Sequence, residues 1–533
     1  MPGKTAEEMA LDQKEISVAE FFEKNRHLLG FDNPAKALIT VVKEGVDNSL
    51  DACEEAGKLP YLNVNIDEVG SNKYEITLKD NGPGIVKEQM PSIFGKLLYG
   101  SKFHSRKQSR GQQGIGISAS VLYSQLTTGR PAIITSRTDM DSPPKQFKLK
   151  IDTIKNEPEI LKEKELEDDF QPGTEIKVVV EGKYIQRYHS VDEYLKQTAI
   201  ANPYARIQYS NPEGEDYDFE RAAEKLPPEP KEIKPHPYGV ELGVLGRMLK
   251  NTDSNKVLSF LQNEFTRIGR TSAEEICRLA EVDPDEKPEN LNHSEQEGLL
   301  DAMQKVKIQR PPTDCLSPIG AKLIKNGLGK EIDAEFITSS SRDPEVYRGN
   351  PFQVEVGIAY GGELEEMESD KVKVMRYANK VPLLYQSSSC AITKALENTD
   401  WKRYGLEQPG SNGTPKGPAV IFVHLCSTWV PFTSESKESI ARYPKIVKEI
   451  KLALQECARD LKRHLSRKQK GKKEKRRKKI FSNYMPLVLE NAVELAEEGE
   501  ELTIDPIMQR VIDEELVEKV EEAEEVEEGD VND

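Results

Sequence analysis

Three polar residues, Glu44, Asn48 and Asp51, are spaced so that one helix would carry them in a single row. A helix turns by about 100° per residue, so the three side chains fall within an arc of roughly 60° beside an apolar stripe. A carboxylate can align or deprotonate a water molecule, and an asparagine oxygen is a hard, neutral ligand that suits Mg²⁺. A solvated helix face has the same pattern, so the row alone does not establish a site.

A further carboxylate, Asp80, begins the segment Asp-Asn-Gly-Pro-Gly at 80–84. The alternating residues 73–79 predict a half-buried strand that runs into this segment. The two glycines allow the backbone to approach a flat ligand, and the carboxylate can accept a hydrogen bond from an exocyclic amine such as adenine N6. An ordinary Asn-Gly turn has the same local sequence.

Three glycines, Gly111, Gly114 and Gly116, precede a helix predicted over 118–125. Glycine leaves backbone N–H groups free to point at phosphates, and a helix N-terminus adds a partial positive charge. The pattern does not follow a strand, as a Rossmann dinucleotide fingerprint must, so that fold is rejected. Farther on, Thr174 leads into a predicted strand, where its hydroxyl could reach a base or its bound water.

Taken in order, these signals resemble the GHKL ATPases, a superfamily that includes gyrase-type topoisomerases, MutL, one class of heat-shock chaperone and the histidine kinases. The resemblance implies a Bergerat α/β sandwich that takes ATP and Mg²⁺, with Glu44 as the general base and Asn48 as the Mg²⁺ ligand. It also implies that Asp80 recognises adenine and that Thr174 supports the bound base. The other residues expected at the nucleotide are Asp51, Gly82, Gly84, Ser101, Lys102, Gly111, Gln112, Gln113, Gly114, Ile115, Gly116, Ile117 and Ser118.

One residue of the row helix, Gly45, departs from a good helix sequence. Glycine in a helix interior costs about 1 kcal/mol relative to alanine. We therefore expect a close packing contact at Gly45, with Ser49 one turn farther on, rather than a break in the helix.

Three stretches narrow the resemblance to one family. Residues 94–102 place a lysine beside a hydroxyl just ahead of the glycines, where phosphate oxygens would lie. Together with 111–116 and 121–125 they resemble the B subunits of topoisomerase VI, and residues 375–383 resemble the transducer domain of the same enzymes. In that family a loop lysine reaches the ATP site and senses the γ-phosphate. The matching residue is Lys437, which the resemblance makes a catalytic and nucleotide-contacting residue.

Composition limits the functions open to the chain. Its 533 residues include 75 Lys and Arg against 92 Asp and Glu, a net charge of −17, which argues against non-specific coating of nucleic acid but allows a local basic track. Its 6 cysteines lack C-x-x-C spacing, so neither a zinc site nor a disulfide framework is predicted. No run approaches the roughly 18 apolar residues of a membrane span, and the polar N-terminus is unlike a signal. We expect a cytoplasmic, nucleoid-associated protein with no membrane partner.

The elements that position these residues predict an α/β multidomain chain. Alternating strands and helices predict the sandwich, and a proline-rich break separates it from a helical segment. A second α/β unit, with a right-handed crossover, ends in a long helix, and the acidic tail is predicted to be disordered. The predicted regions are an N-terminal arm at 1–20, the GHKL domain at 21–229, a helix-two-turn-helix domain at 230–308, a transducer domain with stalk helix at 309–465, and a basic block, small C-terminal region and tail at 466–533.

Two stretches are candidates for DNA contact, and each has a structural alternative. Residues 265–276 resemble the helix-two-turn-helix fold, whose arginines could meet phosphates, yet the nearby 283–286 is acidic. Residues 401–404 interleave aromatic with basic side chains, which suits a grip on the backbone, although burial of Trp401 explains them as well. The arginines of the first stretch are Arg267, Arg270 and Arg278.

Together, these resemblances imply the ATP-hydrolysing gate subunit of a type IIB DNA topoisomerase. The resemblance implies that two copies dimerise through their ATPase domains on binding ATP·Mg²⁺ and enclose double-stranded DNA. A separate A subunit would make the break within an A2B2 heterotetramer, giving relaxation and decatenation. The alternatives are a GHKL ATPase of the MutL repair or chaperone type, neither of which explains a helical segment at 240–308, and a dimeric scaffold that nucleotide merely stabilises.

Overall fold

A computed structural model describes residues 9, 16–100, 106–111, 114–167, 170–186, 188–366, 370–410, 412–434 and 437–495. Two compact units are distinguished, Met1–Leu461 and Lys462–Asp533. Several predictions fall outside the described residues: those for most of the N-terminal arm, the acidic tail, Ser101, Lys102, Gln112 and Gln113.

The larger sheet has eight strands in the order β5-β4-β3-β6-β2-β1-β7-β8. Only β1 and β7 are parallel, and the other neighbouring strands are antiparallel. Along β2 buried and less buried residues alternate, as the sequence pattern of 73–79 predicted. The strands are β1 Tyr61–Gly70, β2 Lys73–Asp80, β3 Ala132–Arg137, β4 Lys145–Asp152, β5 Glu157–Glu165, β6 Gly173–Glu181, β7 Arg206–Ser210 and β8 Asp216–Phe219.

Five helices share one hydrophobic core with this sheet. The longest begins at Pro34, where proline fits the first turn and the Asn33 side chain accepts a hydrogen bond from the Lys36 N–H. Its apolar stripe, which includes Leu38 and Val42, is buried. The helices are α1 Val18–Lys24, α2 Pro34–Glu55, α3 Met90–Gly95, α4 Gly116–Thr128 and α5 Val191–Ala201.

A helical segment follows residues 220–236, which contain neither helix nor strand. Its four helices pack around a core of their own, in which Phe260, Ile276 and Leu299 are fully buried. The last helix begins with a capping box, in which Asn292 and Glu295 bond to each other's backbone N–H groups. The helices are α6 Leu242–Asn251, α7 Val257–Glu264, α8 Arg270–Ala280 and α9 His293–Lys305.

A second sheet has the order β10-β11-β14-β12-β13, with β9 paired to β11. The strand β14 is buried at every position, and it runs parallel to β12 and antiparallel to β11. A second α/β unit was predicted in this part of the chain, and the handedness of its crossover stays a prediction. The elements are α10 Ala321–Glu331, β9 Phe336–Ser341, β10 Glu345–Tyr347, β11 Asn350–Tyr360, β12 Lys373–Ala378, β13 Val381–Pro382, α11 Ala391–Glu397 and β14 Ala419–Ser427.

The last helix, α12, covers Pro444–Leu495 and is longer than the sequence pattern predicted. The apolar periodicity ends near His464, but the helix continues through the basic block because lysine and arginine are good helix formers. It also contains Pro486. Among the described residues, no helix is both long enough and apolar enough to cross a membrane. All six cysteines are buried and free.

Candidate active site

A cavity of about 840 Å³ lies between α2, the end of β2 and the glycine segment, within the size range of small-ligand sites. It brings together predicted residues from distant parts of the chain. Asp51, Gly82 and Ser118 are not among its lining residues. The predicted residues that line it are Glu44, Asn48, Asp80, Gly84, Gly111, Gly114, Ile115, Gly116, Ile117, Thr174 and Lys437.

Helix α2 presents Glu44 and Asn48 to the cavity, while its apolar stripe packs against the sheet. The predicted contact at Gly45 is confirmed, because a Cβ atom there would lie 2.9 Å from Leu78 Cδ1 on β2. Ser49, one turn on, is also buried. The missing side chain thus allows the helix to lie close against the strand that carries Asp80.

The Asp80 carboxylate is held by three hydrogen bonds. Its Oδ1 accepts from the backbone N–H groups of Gly82 (2.9 Å) and Thr174 (3.0 Å), and its Oδ2 accepts from the Ser49 hydroxyl (2.8 Å). Burial raises the pKa of Asp80. A carboxylate has about four acceptor positions, so Oδ2 keeps one for a further donor. Sequence reasoning did not identify Ser49 as a partner of Asp80, since nothing local signals a contact between the helix and the strand end.

The loop after Asp80 turns through Gly84, which has a φ of 73°. A Cβ atom at this position would lie 2.2 Å from the Arg137 carbonyl oxygen, so a side chain is excluded by both conformation and space. The neighbouring Ile85 N–H donates to the Ser136 hydroxyl (2.8 Å). These contacts fix the loop that closes one side of the cavity.

The N-terminus of α4 lies against the carboxylate of Glu44. A Cβ atom on Gly116 would stand 1.7 Å from Glu44 Oε2, and one on Gly111 would stand 3.6 Å from Asn48 Oδ1. Glycine at 116 is therefore required for this approach. The 13-residue helix α4 directs its first N–H groups and the positive end of its dipole toward this part of the cavity, an arrangement that suits an anionic group.

Lys437 enters the same cavity from the segment before α12. Its backbone has a φ of 54°, and its N–H donates to the Ser434 carbonyl (3.1 Å). Burial lowers the pKa of its ammonium, against the opposing effect of nearby carboxylates, chiefly Glu44. The ammonium makes no hydrogen bond or ion pair with any residue that the structure describes. It is therefore a partly buried cation with capacity to bind an anion.

Asp51, the third residue of the row, is engaged elsewhere. Its Oδ1 accepts a hydrogen bond from Arg110 Nη1 (2.8 Å), and the same guanidinium pairs with Glu54. Lys380 completes this cluster, with its Nζ 3.4 Å from Glu54 Oε2 and 3.0 Å from Ser317 Oγ. Arg110 and Lys380 were not singled out from the sequence, because their partners lie far from them along the chain. The prediction that Asp51 contacts the nucleotide stays a prediction.

A further carboxylate of α2, Asp47, is buried and was not predicted to have a role. The Tyr194 hydroxyl donates to its Oδ1 (3.1 Å), and burial raises its pKa to about 7. The charged groups around it are Lys43, Glu44, Arg110 and Asp51, together with Lys437 from the second α/β unit. Asp47 is therefore a buried, titratable carboxylate of α2.

The two candidate DNA stretches differ in exposure. Arg267 and Arg270 line an open groove with residues 266–272, and both are exposed, although Arg270 also pairs with Glu274 (2.9 Å). Arg278 is exposed but does not line that groove.

In the second stretch Trp401 is fully buried, and its Nε1–H donates to the Leu396 carbonyl (2.9 Å). Tyr404 is also buried, so of this stretch only Lys402 and Arg403 are accessible to a ligand. The aromatic members of the stretch are part of the core, as the structural alternative predicted.

Comparison with known proteins gives a consistent result. A family model described as "Topoisomerase VI B subunit, transducer" matches residues 311–478. A second, described as "Histidine kinase-, DNA gyrase B-, and HSP90-like ATPase", matches residues 33–154, which makes that part of the chain a nucleotide-binding domain.

Three relatives, each named as the B subunit of type 2 DNA topoisomerase 6, match over most of their length. That of Methanococcoides burtonii is 51% identical over 498 residues, covering 93% of this chain and 80% of the relative. That of Methanosarcina barkeri is 52% identical over 90% of this chain and 77% of the relative. That of Archaeoglobus fulgidus is 49% identical over 95% of this chain and 83% of the relative. The chain therefore belongs to the topoisomerase VI B-subunit family, the ATP-driven subunits of type IIB DNA topoisomerases.

Proposed function

We propose that this chain is the ATP-operated gate of a heterotetramer with a topoisomerase VI A subunit, and that ATP·Mg²⁺ closes two copies around a DNA duplex. One observation carries the proposal: Lys437, from the second α/β unit, lines the same cavity as Glu44 and Asp80. A ligand in that cavity can therefore contact both α/β units at once, the one built on β1–β8 and the one built on β9–β14. The relatives are named as B subunits, which supports a separate A subunit that makes the double-strand break.

Asp80 binds the adenine in this proposal. The free acceptor position on its Oδ2 suits the exocyclic amine of the base, since Oδ1 is already occupied by the N–H groups of Gly82 and Thr174. The Thr174 hydroxyl lies 3.1 Å from the Ser136 hydroxyl, which orients it beside the carboxylate. An amine donor is thus preferred over the carbonyl that guanine carries at the same position.

Glu44 is the general base of the proposed hydrolysis. Its carboxylate accepts a proton from water as the water oxygen bonds to the γ-phosphorus and the bond to the ADP oxygen breaks. The α4 N-terminus stands beside that carboxylate and can stabilise charge on the phosphate oxygens, because Gly116 has no side chain. A positioned base contributes typically 10²- to 10⁴-fold to such a step.

Asn48 is the proposed Mg²⁺ ligand, and the residues present fit that ion. Mg²⁺ usually keeps several waters and takes only one or two protein ligands beside substrate phosphates. One neutral oxygen from Asn48 satisfies this requirement, and no group of three or more His, Cys, Asp and Glu side chains suited to a metal occurs in the described part of the chain. Bound there, Mg²⁺ would neutralise charge on the β- and γ-phosphates.

Lys437 distinguishes ATP from ADP in this proposal. A nucleotide changes the conformational balance only if it binds one state better than the other. A contact between the Lys437 ammonium and the terminal phosphate supplies that difference, since ADP lacks the group. Loss of the phosphate would then leave Lys437 in its partly buried position without an anion, which favours separation of the two α/β units.

Exposed arginines of the helical segment are proposed to meet the captured duplex. Arg267 and Arg270 line an open groove at the start of α8, and Lys307 lines it too. Three cations on one groove suit the regularly spaced phosphates of DNA. Contacts of this kind position the duplex without reading its sequence.

Reconstitution tests the proposal. The chain is mixed with a cognate A subunit and supercoiled DNA, with and without ATP·Mg²⁺, and relaxation and decatenation are followed. We expect activity only when both subunits and ATP are present, and none when this chain carries Glu44→Gln. Relaxation that persists without ATP, or with Glu44→Gln, would contradict the assignment of the cavity as the motor of strand passage.

A further inference from the structure

Glu438, the residue after Lys437, forms an ion pair with Lys36 of helix α2. Its Oε1 lies 2.5 Å from Lys36 Nζ, and both side chains are almost buried, at 8% and 11% exposed. Lys36 belongs to the first turn of α2, the helix that carries Glu44. A single pair therefore joins the segment of Lys437 to the helix of the proposed general base.

Two other groups surround the Lys36 ammonium. Asp32, just before α2, lies 3.0 Å away, and the ring centroid of Tyr385, from the second α/β unit, lies 5.2 Å away. Burial opposes the charge, but the two carboxylates overcome it and raise the pKa of Lys36. The ammonium thus remains charged at physiological pH, and it contacts groups from both α/β units.

The next residue, Ser439, is anchored on the opposite side. Its hydroxyl hydrogen bonds with that of Ser389 (3.0 Å) and also with that of Thr433, both from the second α/β unit. Of the two residues that follow Lys437, Glu438 is therefore bonded to helix α2, and Ser439 is bonded to the second α/β unit, to which Lys437 itself belongs. We call residues 437–439 the sensor segment.

We propose that the Lys36–Glu438 pair positions Lys437 for the terminal phosphate by tying the sensor segment to α2. The inference rests on the proposed role of Lys437. Lys36 and Glu44 are two turns apart on α2, about 12 Å at 1.5 Å per residue, so the pair holds the sensor at a fixed place relative to the base. Because only a triphosphate reaches Lys437, the pair contributes to binding of ATP and not to binding of ADP.

Lys36 and Glu438 are positioning residues, and nucleotide discrimination separates this role from simple packing. If the pair only stabilised the fold, its loss would weaken ADP and ATP binding alike. If it positions Lys437, its loss weakens binding of a triphosphate alone. Lys36→Met and Glu438→Gln remove the charges with little change in size, whereas Lys36→Arg keeps the cation.

The experiment measures, on the full chain, the dissociation constants of ADP and of a non-hydrolysable ATP analogue. We expect Lys36→Met and Glu438→Gln each to raise the dissociation constant of the analogue by about 5- to 50-fold and to change that of ADP by less than about twofold. The double variant should bind the analogue no more weakly than either single variant, because each single substitution already removes the same ion pair. Lys36→Arg should restore most of the affinity. The matched control is Lys24→Met, which removes the exposed pair with Glu20 and should change neither constant.

Equal loss of ADP and analogue binding, or additive effects in the double variant, would overturn the inference. Lys437→Ala separates its failure from that of the proposed function. If this variant leaves the ratio of the two constants unchanged, Lys437 does not sense the phosphate. The pair is then judged by hydrogen exchange of residues 437–439 without nucleotide. Faster exchange in Lys36→Met than in Lys24→Met would support the inference that the pair holds the sensor segment against α2, and equal exchange would overturn it.

Discussion

Helix α2 meets the second α/β unit near both of its ends, and the two junctions differ in how many buried charges they contain. At the C-terminal junction, Glu54 pairs with Arg110 and Lys380, whose side chains are both 3% exposed. At the N-terminal junction, Lys36 pairs with Asp32 and with Glu438 of the sensor segment. Opening the first junction would separate the Lys380 ammonium from Glu54, which keeps its pair with Arg110. Opening the second would separate Lys36 from Glu438, and Lys36 keeps its pair with Asp32.

The C-terminal junction also extends farther into the second unit. The Lys380 N–H donates to His424 Nε2 (2.9 Å), and His424 Nδ1 bonds to Glu355 (2.8 Å), whose carboxylate accepts the N–H groups of Ile319 and Gly320. These bonds lie within the second α/β unit, where they fix Lys380, and its 3%-exposed ammonium is costly to separate from Glu54. The difference between the junctions teaches that the end of α2 nearer the sensor is the one a nucleotide can influence at lower free-energy cost.

The largest effect is expected at the C-terminal junction. Arg110→Met keeps the apolar stem but leaves Glu54 and Asp51 without their guanidinium, so the free energy of unfolding should fall by about 3–5 kcal/mol. Urea denaturation measures the change. A loss below that of Lys36→Met would reverse the proposed order of the two junctions.

Between the junctions, Asp47 should make stability depend on pH. Its pKa is about 7 in the folded chain against an ordinary value of 3.8, so the folded state keeps a proton that the unfolded state has lost between these values. Stability therefore falls as pH rises from about 4 to about 7. Asp47→Asn should remove this loss, gaining at most about 4 kcal/mol at pH 8 and almost nothing at pH 4.

The measurement for Asp47 is the denaturation midpoint of both proteins across that pH range. Asparagine can still accept the hydrogen bond of Tyr194, so the contact itself is preserved. A difference between variant and parent that stays constant with pH would show that Asp47 does not titrate in this window.

A smaller effect is expected at the N-terminal junction. Lys36→Met should lower the free energy of unfolding by about 1–3 kcal/mol, because Glu438 loses a charged hydrogen-bond partner in an almost buried position. Urea denaturation compares it with the control Lys24→Met, whose exposed pair should contribute about 0.5 kcal/mol or less. Equal effects of the two substitutions would mean that burial adds nothing to the Lys36 pair.

Local sequence rules predicted much of the candidate site. The alternation of residues 73–79 predicted the strand before Asp80, and Asn33 and Pro34 are the local signal for the start of α2, because caps and periodicity act over a few residues. The resemblance to a family supplied Lys437, whose place in the cavity no local pattern indicates.

The two junctions could not be predicted in the same way. Lys380 finds its partner Glu54 only after the two α/β units pack together, and Arg110 finds Asp51 and Glu54 only after its own unit folds. A charged residue in a loop has the same appearance in the sequence whether it ends buried or solvated. Glu438 also could not be identified from the sequence, although it directly follows the predicted sensor.

The length of α12 was underestimated for a different reason: apolar periodicity ends where packing ends, while a basic sequence can continue a helix.

The most direct test of the central claim, that this cavity hydrolyses ATP with Glu44 as the base, compares turnover and binding in the same preparation. Glu44→Gln keeps the size of the side chain and removes its ability to take a proton. We expect ATP turnover to fall by about 10²- to 10⁴-fold, while the dissociation constant of a non-hydrolysable analogue changes by no more than about twofold. Turnover equal to that of the parent chain would contradict the account.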